Sequence, residues 1–142
     1  MAKAFTLHAR LAADTEPVAE LALCRVLLMK DARVPWLILV PRRPGLLELD
    51  DLPRAERALL MEEVALASDV LRRLYRPDKL NVGALGNLVP QLHVHVLGRY
   101  RSDAAWPGPI WGSGAAIPYA PEALAAEVER LRASFAETAG NG

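Results

Sequence analysis

Short apolar runs in the first half of the chain predict β-strands. Cys24–Met29 and Trp36–Val40 each have the length of a strand, and a polar turn separates them. Pro35 and Pro41 bracket the second run, which suits strand ends because proline cannot donate a ladder hydrogen bond. The two runs are therefore predicted to be buried strands.

Two later segments carry the three- and four-residue spacing of amphipathic helices. The first runs from about Leu52 to Tyr75, and Pro77 follows its end. Its apolar face consists of Leu60, Val64, Ala67, Leu71 and Leu74. The second is predicted over Pro121–Phe135, with proline in its first turn.

Between the helices, alternating residues predict one antiparallel pair of strands. Lys79–Leu85 and Gln91–Leu97 both alternate, and a Gly86-Asn87 turn lies between them. Strands followed by a long helix and then by more strands indicate an α+β fold.

Composition narrows the class of protein. The 142 residues are 52% hydrophobic and 24% charged, typical of one globular domain, and 17 basic residues balance 17 acidic ones. This balance gives no reason to expect nucleic acid or a membrane surface as a partner. A single cysteine rules out an intramolecular disulfide, and no apolar run approaches a spanning helix or a signal peptide. We therefore expect a cytoplasmic protein.

Two of the three histidines lie two residues apart in the predicted strand 91–97. Alternation places Gln91, His93 and His95 on one face and three apolar residues on the other. Residues i and i+2 of a strand stand about 6.5–7 Å apart at the backbone, so the two imidazoles can converge on one small group.

The residues alone leave three interpretations of this pair. Histidines on an exposed strand face can simply satisfy their own hydrogen bonds. As metal ligands they would need a third and usually a fourth ligand, but His8, Cys24 and the carboxylates show no ligand-like spacing to them. As catalytic groups, one imidazole would be the nucleophile while the other stabilises a phosphoryl group.

The stretch around the pair resembles the signature of the histidine-triad (HIT) superfamily. In Gln91–Leu97, histidines alternate with apolar residues and two apolar residues follow. Further segments resemble the family in the same order. They are the paired strands that end in Asp31 and Val40-Pro41, the strand and loop from Asn81 to Asn87, and Trp106-Pro107.

The resemblance implies a HIT-like α+β fold with about five antiparallel strands, one long helix and a C-terminal helix. The chain would be a single domain over residues 1–142, with its core at about 20–112 and the last helix at about 121–135. A homodimer with sheets joined edge to edge is also implied. The loop with Trp106 and Trp111 would either reach the partner's site or pack in the core of its own chain.

The resemblance also implies the site. His93 matches the nucleophile that attacks the α-phosphate of a nucleotide conjugate and forms a covalent nucleotidyl-imidazole. His95 matches the histidine that contacts this phosphate. Asp31 matches a ligand of the ribose hydroxyls, although a turn residue at a strand end is the alternative. The other matched nucleotide-binding positions are Asn81 and Asn87 around the phosphates, and Val26 and Leu28 in the apolar slot for the base.

The chain departs from the family pattern at Gln91, which replaces the first histidine of the triad. Its amide is expected to reach the reacting phosphate, but glutamine cannot deliver a proton near neutral pH, so poor leaving groups should react slowly. Trp36 stands where one branch of the family carries a histidine. The cysteine pair of zinc-binding members is missing, and we expect no structural zinc and no cofactor.

The resemblance therefore implies a nucleotide hydrolase or nucleotidyl transferase that cleaves phosphoanhydride or phosphoramidate bonds of purine nucleoside conjugates. Its expected partner is a nucleotide or nucleoside-phosphate conjugate. One alternative is a nucleotide-binding or regulatory protein without turnover, because Gln91 replaces the first histidine of the triad. Another is a mononuclear metal enzyme that uses His93 and His95.

Overall fold

Five antiparallel strands form one sheet in the computed structural model, which describes residues 4–140. In chain order they are β1 (Thr15–Glu20), β2 (Cys24–Met29), β3 (Trp36–Pro41), β4 (Lys79–Gly83) and β5 (Val94–Arg99). Their order across the sheet is β1-β2-β3-β5-β4, and every neighbouring pair is antiparallel. The predicted α+β fold is confirmed, although the strand predicted to start at Gln91 begins only at Val94.

Within residues 4–140, three α-helices accompany the sheet: α1 (Ala9–Asp14), α2 (Arg54–Tyr75) and α3 (Pro121–Gly140). α2 ends at the predicted residue because Arg76 adopts a left-handed conformation, with φ at 48°, and a proline follows it. α3 starts as predicted but continues beyond Phe135. None of the helices in residues 4–140 has both the length and the apolar character needed to cross a membrane.

The sheet separates two apolar layers. α2 packs on β3 and β5, and α3 packs on β1 and α2, so the two long helices cover the same face. The strand residues that fill this helix-side layer are Val18, Cys24, Val26, Leu28, Leu37, Leu39, Val94 and Val96. The alternate strand positions Leu27, Trp36, Ile38, Val40 and Leu97 lie in the opposite layer, together with Leu11 of α1 and Ile110. The face of the sheet that the long helices leave uncovered can therefore carry polar side chains.

A buried carboxylate ties α2 to the start of β2. Glu63 is 5% exposed, and its oxygens accept hydrogen bonds from the backbone N–H groups of Leu23 and Cys24 at 2.9 and 2.8 Å. Two buried donors outside the strand ladder are satisfied in this way. Burial, followed by the nearby Glu63 carboxylate, raises the pKa of the Cys24 thiol, which therefore stays protonated in the core.

Replacement of Glu63 by alanine should lower the free energy of unfolding by about 2–4 kcal/mol, because two buried N–H groups lose their partner. Glu62→Ala is the matched control, since Glu62 is the exposed neighbour on the same helix. Urea denaturation of both variants measures the difference. Equal stability of the two variants would show that this carboxylate does not hold α2 to the sheet.

Candidate active site

The face of the sheet opposite the long helices carries a cavity of about 690 Å³. Ile38 of β3 and His95 of β5 are register partners, and both line it. His93, the residue just before β5, lines this cavity and also a second one of about 250 Å³. The larger volume lies in the range of small-molecule sites. His93 therefore stands where two compartments meet.

The ring of His93 is oriented by the backbone of the segment just before β5. Its Nδ1 lies 2.7 Å from the carbonyl oxygen of Gln91. Because a carbonyl can only accept, Nδ1 must carry the hydrogen and donate it. In the neutral ring, Nε2 then holds the free lone pair, and it has no hydrogen-bond partner among the described residues. His93 therefore has the tautomer that a nitrogen nucleophile requires.

The ring of His95 is held in the opposite way. The indole Nε1–H of Trp36 donates to its Nδ1 at 3.0 Å, and both side chains are buried. Because an indole N–H only donates, the hydrogen of neutral His95 lies on Nε2. Burial, and secondly the neighbouring His93, lowers the pKa of His95 to about 4. At neutral pH this ring is therefore an uncharged donor, with its centroid 4.9 Å from that of His93.

Trp111 encloses His95 from the loop side. Its ring meets those of Trp36 and His95 edge-on, with centroid distances of 6.4 and 5.5 Å. A Cβ at Gly83 would stand only 3.3 Å from Trp111, so glycine leaves room for the indole. Trp111 thus packs against the apolar layer and the histidine of its own chain. Trp106 lies instead beside the Arg99 guanidinium.

Asp31 lines the larger cavity, but its carboxylate is already engaged. Arg33 donates from Nη2 to Oδ2 at 2.8 Å and from Nε to Oδ1 at 3.0 Å, and the backbone N–H of Ile117 also reaches Oδ1. Burial alone would raise the pKa of Asp31, yet these hydrogen bonds lower it, so the group is an anion at neutral pH. A ribose would have to share the carboxylate with Arg33.

Few cationic side chains line the two cavities. Arg10 of α1 lines the larger cavity and lies 3.5 Å from Asp14, which also lines it. The smaller cavity is lined by Glu48 and Asp50 and, among the described residues, by no arginine or lysine.

The amide of Gln91 holds the N-terminal segment and is not free to turn toward a phosphate. Its Oε1 accepts the backbone N–H of His8, and its Nε2 donates to the carbonyl of Thr6, both at 2.8 Å. His8 caps α1, since its Nδ1 accepts the N–H of Arg10. Gln91 thus positions the helix that forms one wall of the cavity. Strand alternation predicts its face but cannot identify such a partner.

Of the two asparagines predicted near the phosphates, only Asn87 lines the larger cavity. The Oδ1 of Asn81 accepts from Arg99 at 3.0 Å. Arg99 also binds the buried Asp103, and this contact lowers the pKa of Asp103 to about 2. Asn81 therefore belongs to a structural cluster, and the structure does not bring it to the histidine pair.

The prediction that Val26 and Leu28 line the apolar slot for the base was wrong, because it placed them on the wrong face of β2. Both side chains lie in the helix-side layer, on the far side of the sheet from the cavity. Met29 and Ile38 line the cavity instead. The signal was present in the sequence, because Met29 lies two residues before Asp31 and so shares its face.

Neither His8 nor Cys24 joins the histidine pair. His8 caps α1, and Cys24 lies in the helix-side core. Within residues 4–140, no group of three or more His, Cys, Asp or Glu side chains is arranged to hold a metal ion.

Comparison with known proteins identifies relatives of this fold and site. A family model described as HIT domain matches residues 10–102. The crystal structure of a histidine triad protein from Bradyrhizobium japonicum is 44% identical, with a TM-score of 0.90 over 94% of this chain and 99% of that one. The crystal structure of a histidine triad protein from Marinobacter aquaeolei VT8 is 45% identical, with a TM-score of 0.91 over 95% of this chain and 98% of that one.

A curated relative is more distant. A protein named AP-4-A phosphorylase from Mycobacterium tuberculosis is 40% identical over 83 residues, which are 54% of this chain and 42% of that protein. The chain thus spans less than half the length of this relative. From the matched model and the two close structures, the chain belongs to the HIT domain family.

Proposed function

We propose that the chain is a nucleotide hydrolase or nucleotidyl transferase that cleaves a phosphoanhydride or phosphoramidate bond through a nucleotidyl-His93 intermediate. The observation that carries this proposal is the hydrogen bond from His93 Nδ1 to the Gln91 carbonyl, which leaves Nε2 as a free nucleophile between two cavities. Membership of the HIT family and the relative named AP-4-A phosphorylase support a nucleotide conjugate as substrate.

The proposed reaction has two displacements at the α-phosphorus. In the first, the lone pair of His93 Nε2 forms a bond to phosphorus while the bond to the leaving group breaks, and the leaving group keeps the electron pair. In the second, a water oxygen forms a bond to phosphorus while the N–P bond breaks; the lone pair returns to His93, and the proton of the water passes to solvent or to the departed leaving group. In each transition state, His95 donates from Nε2 to a phosphate oxygen and stabilises the charge that develops there.

The two cavities suggest how the substrate is divided. We place the nucleoside in the larger cavity, with its base against Met29 and Ile38 and its ribose at Asp31, while Asn87 lies near the phosphates. The leaving group would enter the smaller cavity beyond His93. A purine nucleoside is of suitable size for the larger volume.

A second chain is the proposed protein partner. β4 pairs only with β5, so its other edge is free within the described residues. Val82, Leu85 and Leu88 are exposed on this strand or shortly after it. An unpaired edge with exposed apolar side chains favours pairing with a second copy. Light scattering should give the mass of a dimer, and a monomer at all micromolar concentrations would contradict this proposal.

His93→Ala should abolish turnover of a fluorogenic nucleotide ester or phosphoramidate because the nucleophile is lost, which commonly costs several orders of magnitude. Nucleotide binding should survive and can be followed by the fluorescence of Trp36 and Trp111 in the cavity. The control is Glu62→Ala, whose side chain is exposed on α2 and lines neither cavity.

More than about a tenth of wild-type activity in His93→Ala would exclude covalent catalysis by this residue. A wild-type protein that binds nucleotide but turns over no conjugate would favour the regulatory alternative. Activity that depends on a metal found by elemental analysis would favour the metal enzyme.

The rate should depend steeply on leaving-group pKa, because Gln91 supplies no acid. Gln91→His should flatten this dependence by accelerating poor leaving groups. This variant also loses the amide contacts to residues 6 and 8, so Gln91→Ala is the control: it removes the same contacts without adding an acid. A series of nucleoside monophosphate esters tests this, and parallel slopes in all three proteins would contradict it.

A further inference from the structure

We propose that Trp36 is a positioning residue that fixes His95 in the Nε2–H tautomer, so that this histidine meets the substrate as a hydrogen-bond donor. The statement that His95 donates a hydrogen bond to the substrate rests on the proposed function, because that function places a phosphate oxygen at His95. The effect of Trp36 on the tautomer does not rest on it, and it can be measured on the protein without substrate.

The sheet register brings the indole to the histidine. Trp36 pairs with Leu97 and Ile38 pairs with His95 across β3 and β5, so Trp36 and His95 are diagonal neighbours on one face. Their ring centroids lie 5.8 Å apart, and the indole N–H points its hydrogen at Nδ1 over 3.0 Å. Trp36 is only 4% exposed, so it has no competing hydrogen bond to bulk water.

Alternative states of the His95 ring are disfavoured by its surroundings. A hydrogen on Nδ1 would face the indole N–H, and two donors directed at each other repel. Trp111 lies edge-on against the same ring, and a ring flip would leave the buried indole N–H of Trp36 without its nitrogen acceptor. One hydrogen bond therefore decides which nitrogen carries the hydrogen.

This control matters because His95 is uncharged when the substrate arrives. Burial and His93 keep the ring neutral at pH 7, with its pKa lowered to about 4. A neutral imidazole stabilises a phosphate oxygen only through an N–H group directed at it. If Nδ1 carried the hydrogen, Nε2 would present a lone pair to a negatively charged oxygen.

The variant Trp36→Phe removes the indole N–H and retains an aromatic ring. Nitrogen-15 NMR of histidine-labelled protein distinguishes protonated from unprotonated ring nitrogens. We expect wild-type His95 to be unprotonated at Nδ1 and protonated at Nε2, and the variant to lose this single state. In the fluorogenic assay kcat should fall about tenfold while KM changes less than about twofold, as for an interaction made in the transition state.

Two further variants complete the design. Trp106→Phe is the control for loss of an indole, since Trp106 packs on Arg99 and lines neither cavity. It should leave the tautomer and kcat unchanged. Trp36→His should partly restore the single tautomer of His95 and the value of kcat that Trp36→Phe loses. Histidine Nε2 is the same number of bonds from Cβ as indole Nε1, so it can donate to His95. This variant also keeps the test informative if Trp36→Phe folds poorly.

The proposal is overturned if wild-type His95 carries its hydrogen on Nδ1, or if Trp36→Phe leaves the tautomer unchanged. A fall in kcat without a change of tautomer would assign Trp36 a packing role only. A wild-type protein without turnover of any conjugate would contradict the proposed function, while the NMR comparison would still decide the role of Trp36 on the tautomer.

Discussion

Two adjacent imidazoles in opposite tautomers are the constraint on which the site depends. A carbonyl fixes the hydrogen of His93 on Nδ1, and an indole N–H fixes that of His95 on Nε2. Neither arrangement requires a charged partner, because each neighbour can form only one kind of hydrogen bond. One ring thus presents a lone pair and the other a hydrogen, which is what attack on a phosphorus and stabilisation of its oxygens require.

The remainder of the fold keeps these two rings in place. The long helices fill one side of the sheet, and Glu63 ties α2 to β2, so the opposite face is free for the cavity. On that face Trp111 closes over His95, and Gln91 secures the N-terminal segment that leads into α1. The two arginines that line the larger cavity, Arg10 and Arg33, each contact a carboxylate.

The features of the fold that depend on local periodicity could be predicted from the sequence. It placed β2, the end of α2 and the common face of His93 and His95 correctly, since these follow from alternation, helical spacing and proline. The prediction for Val26 and Leu28 failed because strand alternation puts Met29, and not these two residues, on the same face as Asp31. The contacts of Gln91 with residues 6 and 8 could not be predicted, because they join segments more than 80 residues apart.

Trapping of the covalent intermediate tests the account most directly. The wild-type protein would be mixed with a nucleotide conjugate carrying a labelled α-phosphate, quenched within one turnover and digested for mass spectrometry. The account predicts one nucleotidyl group, located on the peptide of His93 and bound to a ring nitrogen, as its loss in acid and its stability in base would indicate. A label on another residue, or turnover of the same conjugate without any trapped label, would contradict the assignment of His93 as the nucleophile.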